Sequence, residues 1–182
     1  MKKLLLLISL LFIIAIPCIA YQTVIIKFPN GEFWKTIYYK KSYGEAILQY
    51  IPPSQSKQTW LQSVIIHSYN GYTYPAHIFM DQLTANMEVQ NPTSTYKYIK
   101  YMPEDSLAVR CTKAYKKIKP QCEIFRVARA HDGIITIHYV NRDLNNFKHT
   151  YRDWHERISK AVFYYSHFRD ERIMDKALYY EL

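Results

Sequence analysis

The first apolar run of the chain is short and lies behind a basic start. Residues 4–16 are apolar except for one serine, and they follow a Met-Lys-Lys sequence. The run is shorter than the roughly 20 residues that a membrane-spanning helix needs, and the segment ends at a small residue, Ala20. This arrangement is typical of a secretory signal peptide. It predicts a leader over residues 1–20 and an exported chain that begins at Tyr21.

The cysteine inside this leader leaves lipoprotein anchoring as an alternative. A lipid-bearing cysteine follows a small residue and usually has leucine three positions before it, whereas Pro17 and Ala15 occupy those places before Cys18. We therefore expect a chain without a lipid anchor, located in the periplasm or at the outer membrane. Release into the medium and lipidation of Cys18 remain the alternatives.

After the leader, most apolar positions follow the patterns of β-strands. Runs rich in β-branched and aromatic residues predict four strands, at 22–28, 33–40, 95–101 and 106–112. Residues 60–69 predict a helical turn that continues as a strand. Residues 43–50 are consistent with either a short helix or an irregular segment.

A first amphipathic helix is predicted to open at Thr73-Tyr74-Pro75, with Pro75 in its first turn. Phe79, Leu83 and Met87 recur every four residues, so they share one face of the helix. Thr73 is the expected N-cap. Such a face over an aromatic sheet fits an ordinary core, and it also fits the wall of a cavity for an apolar ligand.

A second helix is predicted to begin at Thr150, where Asp153 three residues later resembles a capping box. Its apolar stripe consists of Tyr151, Trp154, Ile158, Ala161, Val162 and Tyr165. We treat residues 169–182 as a C-terminal extension and predict that it is helical. The pattern assigns no role to this extension.

The clearest local pattern lies in residues 124–141. Two β-rich runs flank Asp132-Gly133, a pair that favours a two-residue hairpin turn. In this register Arg126 lies opposite Tyr139. One face then carries Ala128, Ala130, Ile135, Ile137 and Tyr139, and we expect this face to be the core.

The order of the elements predicts an α+β fold, with a mainly antiparallel sheet and helices packed on it. Residues 21–168 are expected to form a single domain, because no linker or repeat divides them. Two arrangements remain open: helices on both faces of the sheet, or a sheet wrapped around the last helix with a ligand cavity between them.

Composition adds a disulfide to this description. Removal of the leader leaves two cysteines, Cys111 and Cys122. An even number of cysteines in an oxidising compartment predicts that they are bridged. The chain also holds 18 tyrosines and only 4 glycines, a composition that suits half-buried strands and binding surfaces alike.

The charge of the chain favours anionic partners. Loss of Lys2 and Lys3 with the leader lowers the formal charge from +9 to +7. Outside the cytoplasm this charge suits an envelope protein, an anionic lipid head group or lipopolysaccharide, rather than nucleic acid. The candidate binding surface consists of Arg126, Arg129, Arg142, His138, Tyr96, Tyr98 and Lys100. Alternating Tyr and Lys fits a half-exposed strand as well, and Arg126 stacked on Tyr139 would be structural.

No catalytic signature is visible in the sequence. It contains no Gly-x-Ser-x-Gly elbow, no His-Glu-x-x-His pair and no glycine-rich phosphate loop. We therefore expect no cofactor, no metal and no catalytic residue. A hydrolase would require a cleft that brings His138 or His131 beside a nucleophile.

Two stretches of the chain resemble a known family. Residues 45–56, followed by Trp60, resemble a Tyr-(Ile/Val)-Pro segment with a Gln-Ser pair and a tryptophan that leads into a strand. Further matching positions lie in the hairpin and in the last helix, at 123–129, 132–134, 138–139 and Trp154. Together they resemble a family of small exported proteins of Gram-negative bacteria with no established activity. The resemblance implies a periplasmic or envelope-associated domain and supplies no catalytic residue.

These observations predict a non-enzymatic, exported envelope protein that works through protein–protein contacts. One concrete version is an accessory component of an envelope-spanning secretion assembly. The alternative is a periplasmic carrier of a small apolar or lipidic ligand. A hydrolase is the third hypothesis.

Overall fold

An antiparallel sheet with two helices organises the chain. The structure is a computed structural model, and it describes residues 21–166 and 178–181. The strands are β1 (Tyr21–Ile25), β2 (Lys35–Ser42), β3 (Glu45–Ile51), β4 (Gln62–Asn70), β5 (Thr95–Tyr101), β6 (Asp105–Thr112), β7 (Gln121–Ala130), β8 (Gly133–Asn141), β9 (Val162–Ser166) and β10 (Leu178–Glu181). The helices are α1 (Ala76–Gln90) and α2 (Leu144–Ser159).

The larger sheet has seven strands in the order β2-β3-β4-β8-β7-β6-β5. It consists of two meanders, β2 to β4 and β5 to β8, joined where β8 pairs antiparallel with β4. A second sheet of three strands has the order β10-β1-β9. The predicted α+β class with a mainly antiparallel sheet is therefore confirmed. That residues 21–168 form one domain stays a prediction.

One face of the large sheet packs against α2. Trp154 and Ile158 of this helix are fully buried against Ile137 and Tyr139 of β8. The rings of Trp154 and Tyr139 stack with their centroids 4.2 Å apart. Val24 of β1 and Ile26, just after this strand, belong to the same apolar cluster. This confirms that the predicted face of the hairpin is a core face.

The other face of the sheet packs against α1. Phe79 and Met80 of the helix are buried against Ala108 of β6 and against Phe125 and Val127 of β7. Residues that alternate along each strand point to opposite faces, so the two helices lie on opposite sides of the sheet. Of the two arrangements left open by the sequence, the structure has the layered one.

The disulfide and the hairpin fix the register of the central strands. Cys111 and Cys122 are directly opposed on β6 and β7 and are bridged, as predicted. The hairpin turn is His131-Asp132, not Asp132-Gly133, so Arg126 lies opposite Ile137. Gly133 is the first residue of β8. Glycine is required there because a Cβ would lie 2.0 Å from the carbonyl oxygen of Tyr69. The two-residue shift leaves each side chain on the predicted face.

Both helices begin at different residues from those predicted. The helix α2 begins at Leu144, because the side chain of Asp143 accepts hydrogen bonds from the backbone N–H groups of Asn145 and Asn146. Thr150 lies inside this helix. The N-cap position of α1 is Pro75, with no side-chain cap, so Thr73 does not cap it.

Two other segments also differ from the sequence interpretation. Residues 45–51 are strand β3, not helical or irregular, since Ala46, Leu48 and Tyr50 alternate into the core. Residues 178–181 form strand β10, which pairs with β1, so the predicted helix is wrong for these four residues. The rest of the C-terminal extension and the leader, residues 1–20, lie outside the described residues.

Candidate functional site

A cleft of about 410 Å³ opens between α1 and the sheet face on which that helix packs. Leu83 and Met87 of α1 form one wall, as the sequence interpretation allowed for a cavity. Strands β3, β4, β6, β7 and β8 contribute the remaining surface. Those lining residues are Gln49, Ile65, His67, Tyr69, Arg110, Gln121, Glu123, His138 and Val140, with Trp60 and Arg142 from the adjoining segments.

The cleft exists because α1 covers only part of this face. The helix packs over β6 and β7, where Phe79 and Met80 are buried. The residues of β3 and β4 on the same face, such as Gln49, Ile65 and His67, are only half-buried. Incomplete cover thus leaves a concave surface beside the helix.

A buried charged group forms the floor of the cleft. Arg110 Nε lies 2.7 Å from Glu123 Oε1, at an angle unsuited to a hydrogen bond. His138 Nδ1 lies 3.4 Å from the other oxygen, Oε2. Burial acts to raise the pKa of Glu123, but the hydrogen bond and charge of His138 and the charge of Arg110 outweigh it, and the pKa is lowered. Glu123 is therefore held as a carboxylate.

His138 has an acid on one side and a hydroxyl on the other. Its Nε2 lies 3.2 Å from Thr136 Oγ1, and its ring stacks on Phe125 with centroids 5.4 Å apart. In space, Glu123, His138 and Thr136 are arranged in the order of an acid–base–nucleophile relay. However, Thr136 is fully buried and does not line the cleft, so its hydroxyl is out of reach of a substrate.

A second histidine lies across the cleft floor. His67 stacks on Tyr69 with ring centroids 3.9 Å apart, and its Nε2 lies 3.6 Å from Glu45 Oε2. Burial lowers the pKa of His67 more than Glu45 raises it, and the charge of His138 lowers it further. Burial raises the pKa of Tyr69. The surroundings thus favour the neutral forms of both side chains.

Arg142 and Trp60 form an edge of the cleft. The guanidinium carbon of Arg142 lies 3.4 Å from the centroid of the Trp60 ring, which is a close cation–π contact. The Nε atom of Arg142 is buried and has no hydrogen-bond partner. Burial lowers the pKa of this arginine. The side chain is therefore fixed in place with part of its hydrogen-bonding capacity unused.

Two of the predicted surface residues lie in this cleft, namely His138 and Arg142. Arg126 lies on the opposite face and has a structural role. It binds Asp105, with Nε 2.7 Å from Oδ1, and donates to the carbonyls of Ile158 and Ala161 at the end of α2. It does not stack on Tyr139 but lies over the ring of Phe163.

Arg129 lies outside the cleft and holds the segment before α1. It donates hydrogen bonds to the carbonyl oxygens of Thr73 and Tyr74. This contact fixes the entry of the chain into the helix. Its guanidinium therefore has backbone partners already.

The tyrosines and the lysine predicted on β5 are separated by a bulge. Tyr96 donates a hydrogen bond to the carbonyl of Thr84, and the Tyr98 hydroxyl lies 3.3 Å from the Thr84 hydroxyl, both toward α1. The register shifts between Tyr98 and Lys100, which turns Lys100 to the other face. There it pairs with Asp105 at 2.6 Å. The three side chains do not share one face as the simple alternation implied.

The sequence interpretation missed Arg110 and Glu123. A usable signal was present, because a bridge between directly opposed cysteines places residue 110 opposite residue 123 on neighbouring strands. The two charges then lie on the face opposite to the disulfide. The missed pair is the centre of the site.

Within residues 21–166 and 178–181, no group of three potential metal-ligating side chains lies close together. No helix in these ranges is long and apolar enough to span a membrane. Comparison with protein-family models, curated proteins and solved structures found no match. The family resemblance therefore stays a prediction.

Proposed function

We propose that this chain is an exported, non-enzymatic binding protein that holds a small ligand in the cleft beside α1. The observation that carries the proposal is a cleft of about 410 Å³ in which an apolar wall faces a buried charged floor. Pockets for small molecules have volumes of about 300–1,000 Å³ and combine apolar walls with a few placed polar groups. This corresponds to the carrier alternative of the sequence interpretation.

The energetic cost of the floor supports a binding role. Removing the charges of Arg110 and Glu123 from water carries a desolvation penalty that their attraction does not fully offset, and apolar residues of similar volume are often at least as stable. The side chains of Arg110 and Glu123 are only 10% and 4% exposed. Stability alone is thus a weak reason for this arrangement, whereas recognition of a polar group is a direct one.

Native mass spectrometry of the protein purified from its own host tests the proposal. Met87→Trp puts a large ring into the cleft, whereas Val89→Trp adds the same ring at an 86% exposed position of the same helix. We expect a bound mass in the wild type and in Val89→Trp, and its loss in Met87→Trp. Bare protein in all three samples would contradict a carrier.

A contact surface for an envelope protein is the second candidate, and the exposed edge strand β2 favours it. Tyr38 and Tyr39 are exposed there beside Lys40 and Lys41. A register shift interrupts β2, and lysines with a bulge blunt the pairing of an edge strand with another chain. An acidic partner is therefore expected to contact side chains rather than extend the sheet. A role in a secretion assembly would use this surface.

Affinity purification from solubilised envelopes tests this second candidate. The variant Tyr39→Ser/Lys41→Glu alters two exposed neighbours on β2, and Lys57→Glu makes the same charge change in an exposed loop as a matched control. A specific partner is expected to be lost with the β2 variant and retained with Lys57→Glu. Recovery of the chain alone in every fraction would count against this role.

A further inference from the structure

Arg142 is positioned like a receptor for an anion. Its guanidinium carbon lies 3.4 Å from the centroid of the Trp60 ring, yet its buried Nε has no hydrogen-bond partner. Buried polar groups nearly always have a partner, so an orphaned one needs an explanation. Burial also lowers the pKa of Arg142. A negatively charged group beside the guanidinium would offset the cost of burying its charge.

The platform under Arg142 is held by the chain itself. The Gln55 side-chain oxygen accepts hydrogen bonds from the backbone N–H groups of Leu61, at 2.7 Å, and Gln62, at 3.1 Å. The backbone N–H of Arg142 donates to the carbonyl of Leu61 at 2.8 Å. The loop that carries Trp60 is thus tied to the end of β8. Such preorganisation lowers the entropy cost of binding.

Among the charged side chains that line the cleft, Arg142 is the one whose charge no other lining residue balances. Arg110 and Glu123 form a pair and cancel each other. His67 and His138 each lie near a carboxylate, of Glu45 and Glu123 respectively. The two arginines and the glutamate that line the cleft together carry one net positive charge. This balance suits an anionic ligand.

An apolar wall continues from this charged position. Leu83 and Met87 of α1 face Ile65 and Val140 of the sheet across the cleft. We infer that the cleft binds an amphipathic anion, whose carboxylate or phosphate head group binds Arg142 on Trp60 and whose apolar body lies along α1. This inference rests on the proposed binding function and names the chemistry of its ligand.

Isothermal titration calorimetry with four single-chain probes tests the head group. Decanoate and decyl phosphate carry the anion, decanol is neutral, and decyltrimethylammonium is cationic. We expect decanoate or decyl phosphate to bind the full-length protein about tenfold more tightly than decanol, because only an anion accepts a hydrogen bond between two charged groups from Arg142. The cation is expected to bind most weakly. The stronger of the two anions identifies the head group.

Two variants locate the head group at Arg142. Arg142→Met is expected to weaken binding of the anion about tenfold and to leave decanol unchanged. Arg152→Met removes the same charge at an exposed position on α2, across the sheet, and is expected to change nothing. If Arg142→Met does not fold, Arg142→Lys serves instead. It keeps the charge and loses the planar fork, so the preference for anions persists with weaker affinity.

The outcomes separate this inference from the proposed function. Equal binding of decanol and both anions, or an anion preference unaffected by Arg142→Met, overturns the inference and leaves a carrier of neutral ligands. Absence of binding for all four probes, together with bare protein in native mass spectrometry, overturns both. Anion binding that weakens with Arg142→Met and is abolished by Met87→Trp supports both.

Discussion

The two faces of the large sheet are built from the same strands but differ in how completely their helices cover them. On the α2 face, the buried rings of Trp34 and Tyr139 each pack against the buried ring of Trp154. The hydroxyl of Tyr139 has partners there, including Asn141 Nδ2 at 2.9 Å. Burial raises the pKa of Tyr139 to about 12. This face is closed and its polar atoms are bonded within the chain.

On the α1 face the cover is incomplete and charges lie in the gap. Arg110, Glu123 and His138 are buried at the floor of a cleft that stays open on one side. An apolar core there would stabilise the fold at least as well. The α2 face is thus a closed core, whereas the α1 face holds the cleft of the proposed binding function.

Removal of the central ring of the α2 face is expected to have the largest effect. Trp154 is 1% exposed and contacts Phe28, Trp34 and Tyr139. Trp154→Ala leaves a cavity among rigid rings, which we expect to lower the free energy of unfolding by about 4–5 kcal/mol. Urea denaturation followed by circular dichroism measures this change.

Met87→Ala is the matched truncation on the α1 face. Met87 is only half-buried and lies at the open cleft, so we expect a loss of less than about 1 kcal/mol. Equal losses for Trp154→Ala and Met87→Ala would abolish the proposed difference between the faces.

The second largest effect on the free energy of unfolding is expected for the buried ion pair on the α1 face. Glu123→Leu leaves Arg110 buried without its carboxylate, and we expect the free energy of unfolding to fall by about 3 kcal/mol. The double variant Arg110→Met/Glu123→Leu removes both charges and is expected to recover most of this loss. Chemical denaturation of the wild type, Arg110→Met, Glu123→Leu and the double variant completes the cycle.

The double variant also sharpens the functional claim. It is expected to fold and to keep the preference for the anionic decyl probes that Arg142 confers, because the pair it removes carries no net charge. A double variant as unstable as Glu123→Leu would show that the pair contributes chiefly to stability, which would weaken the argument for a binding site.

Much of the fold could be predicted from local patterns. The β-rich runs predicted strands β5 to β8, and the alternation within residues 124–141 predicted the faces of β7 and β8, because these depend on residue type and period. The predicted start of α2 at Thr150 was wrong. Asp143 and Thr150 are both possible caps, and the choice between them depends on where β8 ends. Strand β3 was missed because its half-buried residues, such as Gln49, weaken the alternation.

The site was harder to predict, because it depends on contacts between elements distant in the chain. His138 and Arg142 were proposed, but their partners Glu123 and Trp60 are 15 and 82 residues away in sequence. Arg126 and Arg129 look equally available in sequence, and both are occupied by backbone carbonyls in the structure. Local patterns specify the face of a side chain but not whether another segment satisfies it.

The disulfide is expected to have the next largest effect, and it stabilises both faces at once. Cys111 and Cys122 close a short loop with a sequence separation of 11. The chain-entropy estimate for such a loop is about 2–3 kcal/mol. Cys111→Ala/Cys122→Ala is expected to lower the free energy of unfolding by this amount while probe binding persists. Peptide mapping without reductant that recovers both cysteines as free thiols would contradict the bridge.

A decrease in pH just below neutral is expected to have the smallest effect on the free energy of unfolding. The first group to contribute lies on the α1 face. Burial is the main reason that the pKa of His67 lies below 6.5, so the folded state binds fewer protons than the unfolded chain as the pH falls below that value. The free energy of unfolding must then decrease with decreasing pH. His67→Asn is expected to remove this upper part of the decline, measured by urea denaturation between pH 7 and pH 5.

A second decline is expected at lower pH and involves both faces. Burial opposes ionisation of Asp105 and Glu123, but Arg126 and Lys100 lower the pKa of Asp105 below 3.8, and His138 and Arg110 lower that of Glu123 below 4.5. Stability from both carboxylates is therefore present above these values and is lost as the pH falls through the lowered ones. Asp105→Asn removes the contribution of the α2 face alone. A decline that begins below pH 6.5 in His67→Asn as steeply as in the wild type would place its origin away from the cleft.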